Sequence, residues 1–268
     1  MIRLIQLEWL KAKPARFFWV LLLLFMALMI SVPISVQGLS DWIIKNFLPE
    51  NLKLDNVNLF YDFQDIWQNF TFVFQYFTVF LGALIIIHVA REFSLKTARQ
   101  NIIDGLSKSE FVWSKVLFIA FIALIVTLFV AVLALIFGTL FSPPVGTALM
   151  FENVHFLGAY FIHLVQDMLF AMFLAMLVRK PGIAVVVYLF YAWLESFAYL
   201  VIKHGLGWGL VAKLLPNAAT KGLIHTPMYK YVLQPVQTFI AWEDLAISLG
   251  YIGVFIALSM WMMKKRDL

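Results

Sequence analysis

REFSLKTARQNIIDGLSKSEFVWSK, residues 91–115, is the densest polar run in a very apolar chain, and it lies between two long hydrophobic stretches. Leu95, Ala98, Ile102 and Leu106 recur at spacings of three and four, which predicts one apolar helical face. Lys96, Arg99, Gln100 and Asp104 fall largely on the other side. Gly105 can end this helix in the left-handed conformation that glycine adopts cheaply. Ser107 followed three residues later by Glu110 fits a capping box, and Leu106 and Phe111 are spaced for the accompanying hydrophobic staple. The stretch therefore predicts a surface helix, a stop, and the start of a new helix.

Outward from this segment the chain turns apolar in both directions. Of its 268 residues 63% are hydrophobic and 13% charged, and the mean hydropathy is +0.90. A soluble domain is about half apolar and a quarter charged, so the expected class is an all-α polytopic membrane protein forming one domain over residues 1–268. Runs of about 20 apolar residues cross the hydrocarbon core, and they fall near 17–36, 67–90, 111–141, 156–178, 183–202 and 245–263. Residues 2–13 mix Ile2, Ile5 and Trp9 with Arg3, Glu8, Lys11 and Lys13, as an interfacial helix does. Residues 37–64 read as a polar loop, Arg179-Lys180-Pro181-Gly182 as a tight turn, and 203–242 as a long semi-apolar connection divided by Pro216, Pro227 and Pro235. No cleavable signal peptide is evident, since the first apolar run is too long and lacks a small-residue cleavage site. Cysteine is absent, which excludes disulfides and thiolate metal sites.

Charge sets the expected orientation. With both termini inside, fourteen of the 20 Lys and Arg residues fall in cytoplasmic segments. The net charge of +5 is accordingly a topology signal and implies no nucleic-acid partner. Lys203, Lys213, Lys221 and Lys230 in the last outer segment run against the bias, and lysine stems reaching back to the interface from a re-entrant helical pair would explain them.

Ionisable residues inside apolar spans are the other candidates for chemistry. His163 and Asp167 are four apart with Gln166 beside them, Glu195 lies in the fifth span, and His88 is near the inner end of the second. Three readings stand: a structural His–Asp hydrogen bond, a polar lining to a substrate path, or a proton relay. His163 and Asp167 are too few to hold a metal, and there is no H-E-x-x-H. Nothing in the sequence forms a catalytic constellation, so no catalytic residue and no metal ligand is assigned.

Glu92, Thr97, Asp104-Gly105, Ser107 and Lys115, with the closing Lys265-Arg266-Asp267-Leu268, resemble the corresponding segments of the permeases of type-2 ABC (ATP-binding cassette) exporters. The resemblance also covers the interfacial N-terminus, six spans and long final outer loop. Here Lys96-Thr97 stands where the family commonly has Gly-Thr, and Gly105-Leu106-Ser107 replaces a Pro-containing turn. The resemblance implies a translocation pathway between two permease subunits, most simply a homodimer, in the bacterial inner (cytoplasmic) membrane and in contact with its lipids. It implies a coupling helix at Glu92, Lys96, Thr97, Arg99, Gln100, Asp104 and Gly105 that docks a separate cytoplasmic ATPase. It also implies re-entrant helices between the fifth and sixth spans. The chain lacks the G-x-x-x-x-G-K-[ST] phosphate loop. It is thus expected to be a transport subunit rather than an enzyme, with no cofactor of its own and with ATP and Mg on the partner. A proton- or ion-coupled secondary carrier using His163, Asp167 and Glu195 is the alternative. It would call for internal repeats and interrupted helices.

Overall fold

The computed structural model describes residues 2–47, 60–225, 237 and 239–265. Glu50, Lys53, Asp55, Pro227, Lys230, Pro235 and the Arg266-Asp267-Leu268 ending lie outside the described residues. Among the described residues every regular element is helical and there is no strand.

In chain order the helices are α1 (Ile2–Ala12), α2 (Arg16–Phe47), α3 (Ile66–Phe74), α4 (Thr78–Ser94), α5 (Thr97–Ile103), α6 (Lys108–Phe141), α7 (Thr147–Met150), α8 (His155–Val178), α9 (Pro181–Leu200), α10 (Gly209–Lys213), α11 (Pro216–Gly222) and α12 (Trp242–Lys265). A 3₁₀ turn, Gln75–Phe77, joins α3 to α4, and a π turn, Val201–Gly205, extends α9. Six segments are long and apolar enough to cross a membrane: Arg16–Gly38, Ile66–Ser94, Lys108–Phe141, His155–Val178, Pro181–Gly205 and Trp242–Lys265. That architecture is compatible with a multi-pass membrane protein. At 34 residues α6 is about 51 Å long, well beyond the ~30 Å hydrocarbon core, so one or both ends project.

Half or more of the apolar windows of α3–α4, α6 and α8 is buried, whereas only 11% of that of α9 is. The centre of the bundle is therefore α4, α6 and α8, and α2, α9 and α12 form the periphery. Ile183, Val186, Phe190, Trp193 and Phe197 of α9 point outward, as side chains facing lipid do. A cluster of rings (Tyr61, Phe70, Phe137, Phe141) closes the end of α6 that lies near α3. It is tight there because Gly138 leaves room for the Phe63 ring; a Cβ at Gly138 would lie 2.6 Å from that ring.

Two local expectations differ from the structure. The polar loop expected at 37–64 begins later, because α2 runs on to Phe47 through Pro33. The Pro33 carbonyl accepts a 2.5 Å bond from the Tyr61 hydroxyl. The apolar face expected to include Leu95 does not include it. α4 continues to Ser94, and Lys96 in the left-handed conformation (φ 59°) turns the chain before α5 starts at Thr97. Leu95 belongs to this corner, 63% exposed, while Ala98 is buried and Ile102 and Leu106 pack against the core. The stop and restart after α5 match the reading. Gly105 has φ 103°, and Ser107 caps α6 with both bonds of the capping box made.

Candidate functional site

α1 is more than a surface helix. Its inward face is Leu4, Glu8 and Ala12, at a spacing of four, with Glu8 and Ala12 fully buried against α6. Placing the only acid of α1 at the centre of its buried face requires partners, because an unpaired buried charge costs several kcal/mol.

The partners come from α4 and α6. The Lys115 ammonium lies between the Glu8 and Glu92 carboxylates, hydrogen-bonded to Glu8 Oε2 and Glu92 Oε1. His88 Nε2 is 2.9 Å from Glu8 Oε2. Ser114 Oγ donates to Glu8 Oε1 at 3.1 Å. Lys11 Nζ donates to Glu8 Oε1 at 3.0 Å and to Glu92 Oε2 at 3.3 Å. Asn101 of α5 donates to Glu92 Oε2 at 3.2 Å, and the Thr97 hydroxyl donates to the Glu92 carbonyl at 3.2 Å. Every carboxylate oxygen of Glu8 and Glu92 is thus engaged, and two carboxylates face two ammonium groups. Such a network is rigid only when fully satisfied, and this one ties α1, α4, α5 and α6 at a single point.

Burial by itself would raise the Glu8 carboxyl, but Lys115, the His88 hydrogen bond and Lys11 together hold it well below the usual 4.5. A folded value below the unfolded one contributes stability that is present above about pH 4.5 and is lost as pH falls through the folded value. Thermal melting of the purified protein is therefore expected to fall on acidification below about pH 4.5, and Glu8→Gln is expected to flatten that limb. A melting curve of the same shape in both proteins would exclude Glu8 as the source.

Glu8, His88 and Glu92 could also be viewed as three metal ligands, since one donor atom from each lies within 4.8 Å of the others. The donor set does not need a cation, because the Lys115 ammonium already occupies the space between the carboxylates.

The candidates in the other half of the bundle separate into two places. His163 and Asp167 share a face of α8 and both face the Thr78 hydroxyl, but only Asp167 reaches α9. His163 Nε2 is 3.5 Å from the Thr78 hydroxyl, and Asp167 accepts a 2.6 Å bond from Tyr188 of α9. Glu195 joins neither. Its Oε1 accepts the backbone N–H groups of Asn217 (2.6 Å) and Ala218 (3.3 Å) at the start of α11. Gln166 donates to the Pro216 carbonyl at 2.8 Å from the α8 side. The two short helices α10 and α11 are accordingly anchored to α8, α9 and α12, with Tyr251 bonded to the Leu214 carbonyl.

Of the residues expected around α5, Lys96, Thr97, Arg99, Gln100, Asp104 and Gly105 are exposed, and Gln100 donates to Asp104 at 2.8 Å. Glu92 is the exception: it is buried and faces Lys115 and Asn101 rather than the surface. Asn101 and Ser114 escaped the sequence reading, Glu8 and Lys11 were read only as parts of an interfacial helix, and His88 was noted without its partner. The available signal was the 4–8–12 spacing that puts an acid on the inward face of α1.

A family profile described as protein of unknown function (DUF2705) matches residues 42–268. The chain belongs to the DUF2705 family. No curated protein matches it. His88, Glu92, Thr97, Asn101, Ser114 and Lys115 of the network lie within the residues matched to DUF2705, and Glu8 and Lys11 precede them.

Proposed function

We propose that this chain is the membrane-spanning permease subunit of an ATP-binding cassette exporter. It would work as a dimer in a bacterial cytoplasmic membrane with both termini inside. In this reading α5 is the coupling helix that meets a separate ATPase, and α10 and α11 are the re-entrant helices of the outer side. The observation that supports it most is the two-sidedness of α5. One side presents Lys96, Arg99, Gln100 and Asp104, flanked by exposed Leu95 and Ile103. The other side is hydrogen-bonded through Asn101 to Glu92, and through Glu92 to Lys115 of α6 and Lys11 of α1. A push on α5 would be passed to α1, α4 and α6 through polar contacts rather than through a loose loop. Transmission of this kind needs a contiguous physical connection with two arrangements, and the network supplies the connection.

The test is co-purification with any ATP-binding cassette protein that a neighbouring reading frame encodes. Arg99→Glu combined with Asp104→Lys should lower ATPase retention by about tenfold or more, the effect of losing roughly 1.4 kcal/mol of interface energy. The double variant should keep its melting temperature, since both side chains are exposed. Retention equal to wild type would sink the docking assignment. In the secondary-carrier alternative, His163, Asp167 and Glu195 would have to act together, whereas Glu195 Oε1 is engaged by the α11 backbone.

A further inference from the structure

At the end of the bundle opposite α1, a cavity of about 590 Å³ opens between the 3₁₀ turn, the end of α9, and α10–α11. Three lysines from three different elements line it: Lys203 of the π turn, Lys213 of α10 and Lys221 of α11. All three are exposed. Its two carboxylates are recessed. Glu195 is 5% exposed with Oε1 bonded to the α11 backbone, and Asp244 is 4% exposed and packed against Gly222. His225 lies at the rim. The lysines are therefore exposed while the acids are buried, and the Lys203 ammonium also donates to the Tyr199 hydroxyl at 3.0 Å.

The remaining walls mix apolar Phe72, Ala218 and Ile224 with Ser196, Tyr199 and Asn217. Tyr76 and Leu200 line the cavity and are themselves more than half exposed on the outside of the bundle, next to the outward face of α9. The site is thus charged on one side and continuous with a lipid-facing surface on the other. A second observation points to a ligand. Gln75, on the cavity wall, is 4% exposed, yet neither its amide oxygen nor its amide nitrogen has a hydrogen-bond partner. A buried amide left without partners costs free energy, and such groups are normally satisfied. An anionic headgroup in the cavity would supply an acceptor for the amide nitrogen.

We propose that this cavity binds an anionic amphiphile, with its phosphate-like headgroup among Lys203, Lys213 and Lys221 and its apolar tail over Tyr76 and Leu200. The site stands on this chain alone, whether or not α5 meets an ATPase. Two sources share the chemistry: a bilayer lipid, and a soluble amphiphile arriving from the aqueous side.

Native mass spectrometry of the purified full chain tests it, with four probes: dioleoylphosphatidylglycerol, dioleoylphosphatidylcholine, dodecyl phosphate and glycerol phosphate. Retention of phosphatidylglycerol well above phosphatidylcholine assigns the lipid source, and retention of dodecyl phosphate assigns the soluble one; either supports the site. K203Q/K213Q/K221Q should lower retention of the anionic amphiphiles by at least about tenfold, as lysines near an anionic surface contribute individually. Tyr76→Ala should weaken the probes that carry a tail and leave glycerol phosphate unchanged. Equal retention of phosphatidylcholine, glycerol phosphate as tight as dodecyl phosphate, or an unaltered triple variant would each overturn the proposal. The experiment contains no ATPase, so its failure leaves the docking assignment standing, and the reverse also holds.

Discussion

Lys115→Met is expected to be the most damaging single substitution in the chain, destabilising it by roughly 3–5 kcal/mol, the usual cost of removing one partner from a buried ion pair. Lys115 is fully buried, and its ammonium bridges the Glu8 and Glu92 carboxylates between α1 and α4, as the more exposed Lys11 also does. The ammonium also lies over the Phe111 ring, 4.8 Å from its centroid. Methionine keeps most of the stem but removes the charge. Two buried carboxylates then face each other, with only the half-exposed Lys11 to offset them. The measurement is thermal unfolding of the purified protein in detergent. Glu8→Gln added to Lys115→Met should recover part of the loss, because it removes one of the two stranded charges. A loss in the double variant smaller than the sum of the two single losses would show direct coupling. If Lys115→Met melts like wild type, the ion pair does not hold α1 to the bundle.

Gly82→Ala is expected to be the next most damaging. A Cβ at Gly82 would lie 2.5 Å from Tyr188 Cζ and 2.8 Å from Cε1, and it would overlap the hydroxyl. A flexible side chain could move aside, but this ring is held by its 2.6 Å bond to Asp167. Retreat of the ring would take the Tyr188 bond from the half-buried Asp167 carboxyl and leave the buried hydroxyl unpaired. Overpacking costs about 1–3 kcal/mol, and losing a buried hydrogen bond adds about 1–3 kcal/mol. Gly158→Ala in α8 is the control. A Cβ there meets nothing within 4 Å, and alanine favours helix over glycine by up to about 1 kcal/mol. The pair should therefore shift the melting temperature in opposite directions. Equal behaviour would mean that α4 and α9 do not meet at Gly82.

Both predictions concern contacts between helices, and that is where reading the chain in one dimension ran out. The six spans, the stop at Gly105 and the capping box at Ser107 were legible because each depends on residues within a few positions of one another. Hydrophobic length sets a span, and a cap is a bond between neighbours three residues apart. Leu95 was misplaced for an equally local reason. Its spacing suits the α5 face, but Lys96 takes a left-handed turn that non-glycine residues seldom adopt, and the corner carries Leu95 outward. α2 overran its expected end because Pro33 was tolerated within a helix whose Pro33 carbonyl meets Tyr61, 28 residues later.

The sequence by itself determined what must be buried in apolar surroundings and where the backbone must break. Only the tertiary structure decided which charge meets which. Glu8 finds His88 and Lys115 across 80 and 107 residues, and nothing in residues 2–12 names those partners. Asp167, four residues from His163, pairs instead with Tyr188, because α9 packs on both α4 and α8 and brings its hydroxyl within reach. The physical reason is the same in each case. Periodicity reports which face of a helix is buried, whereas the partner of a buried polar group is set by how helices distant in sequence are packed together.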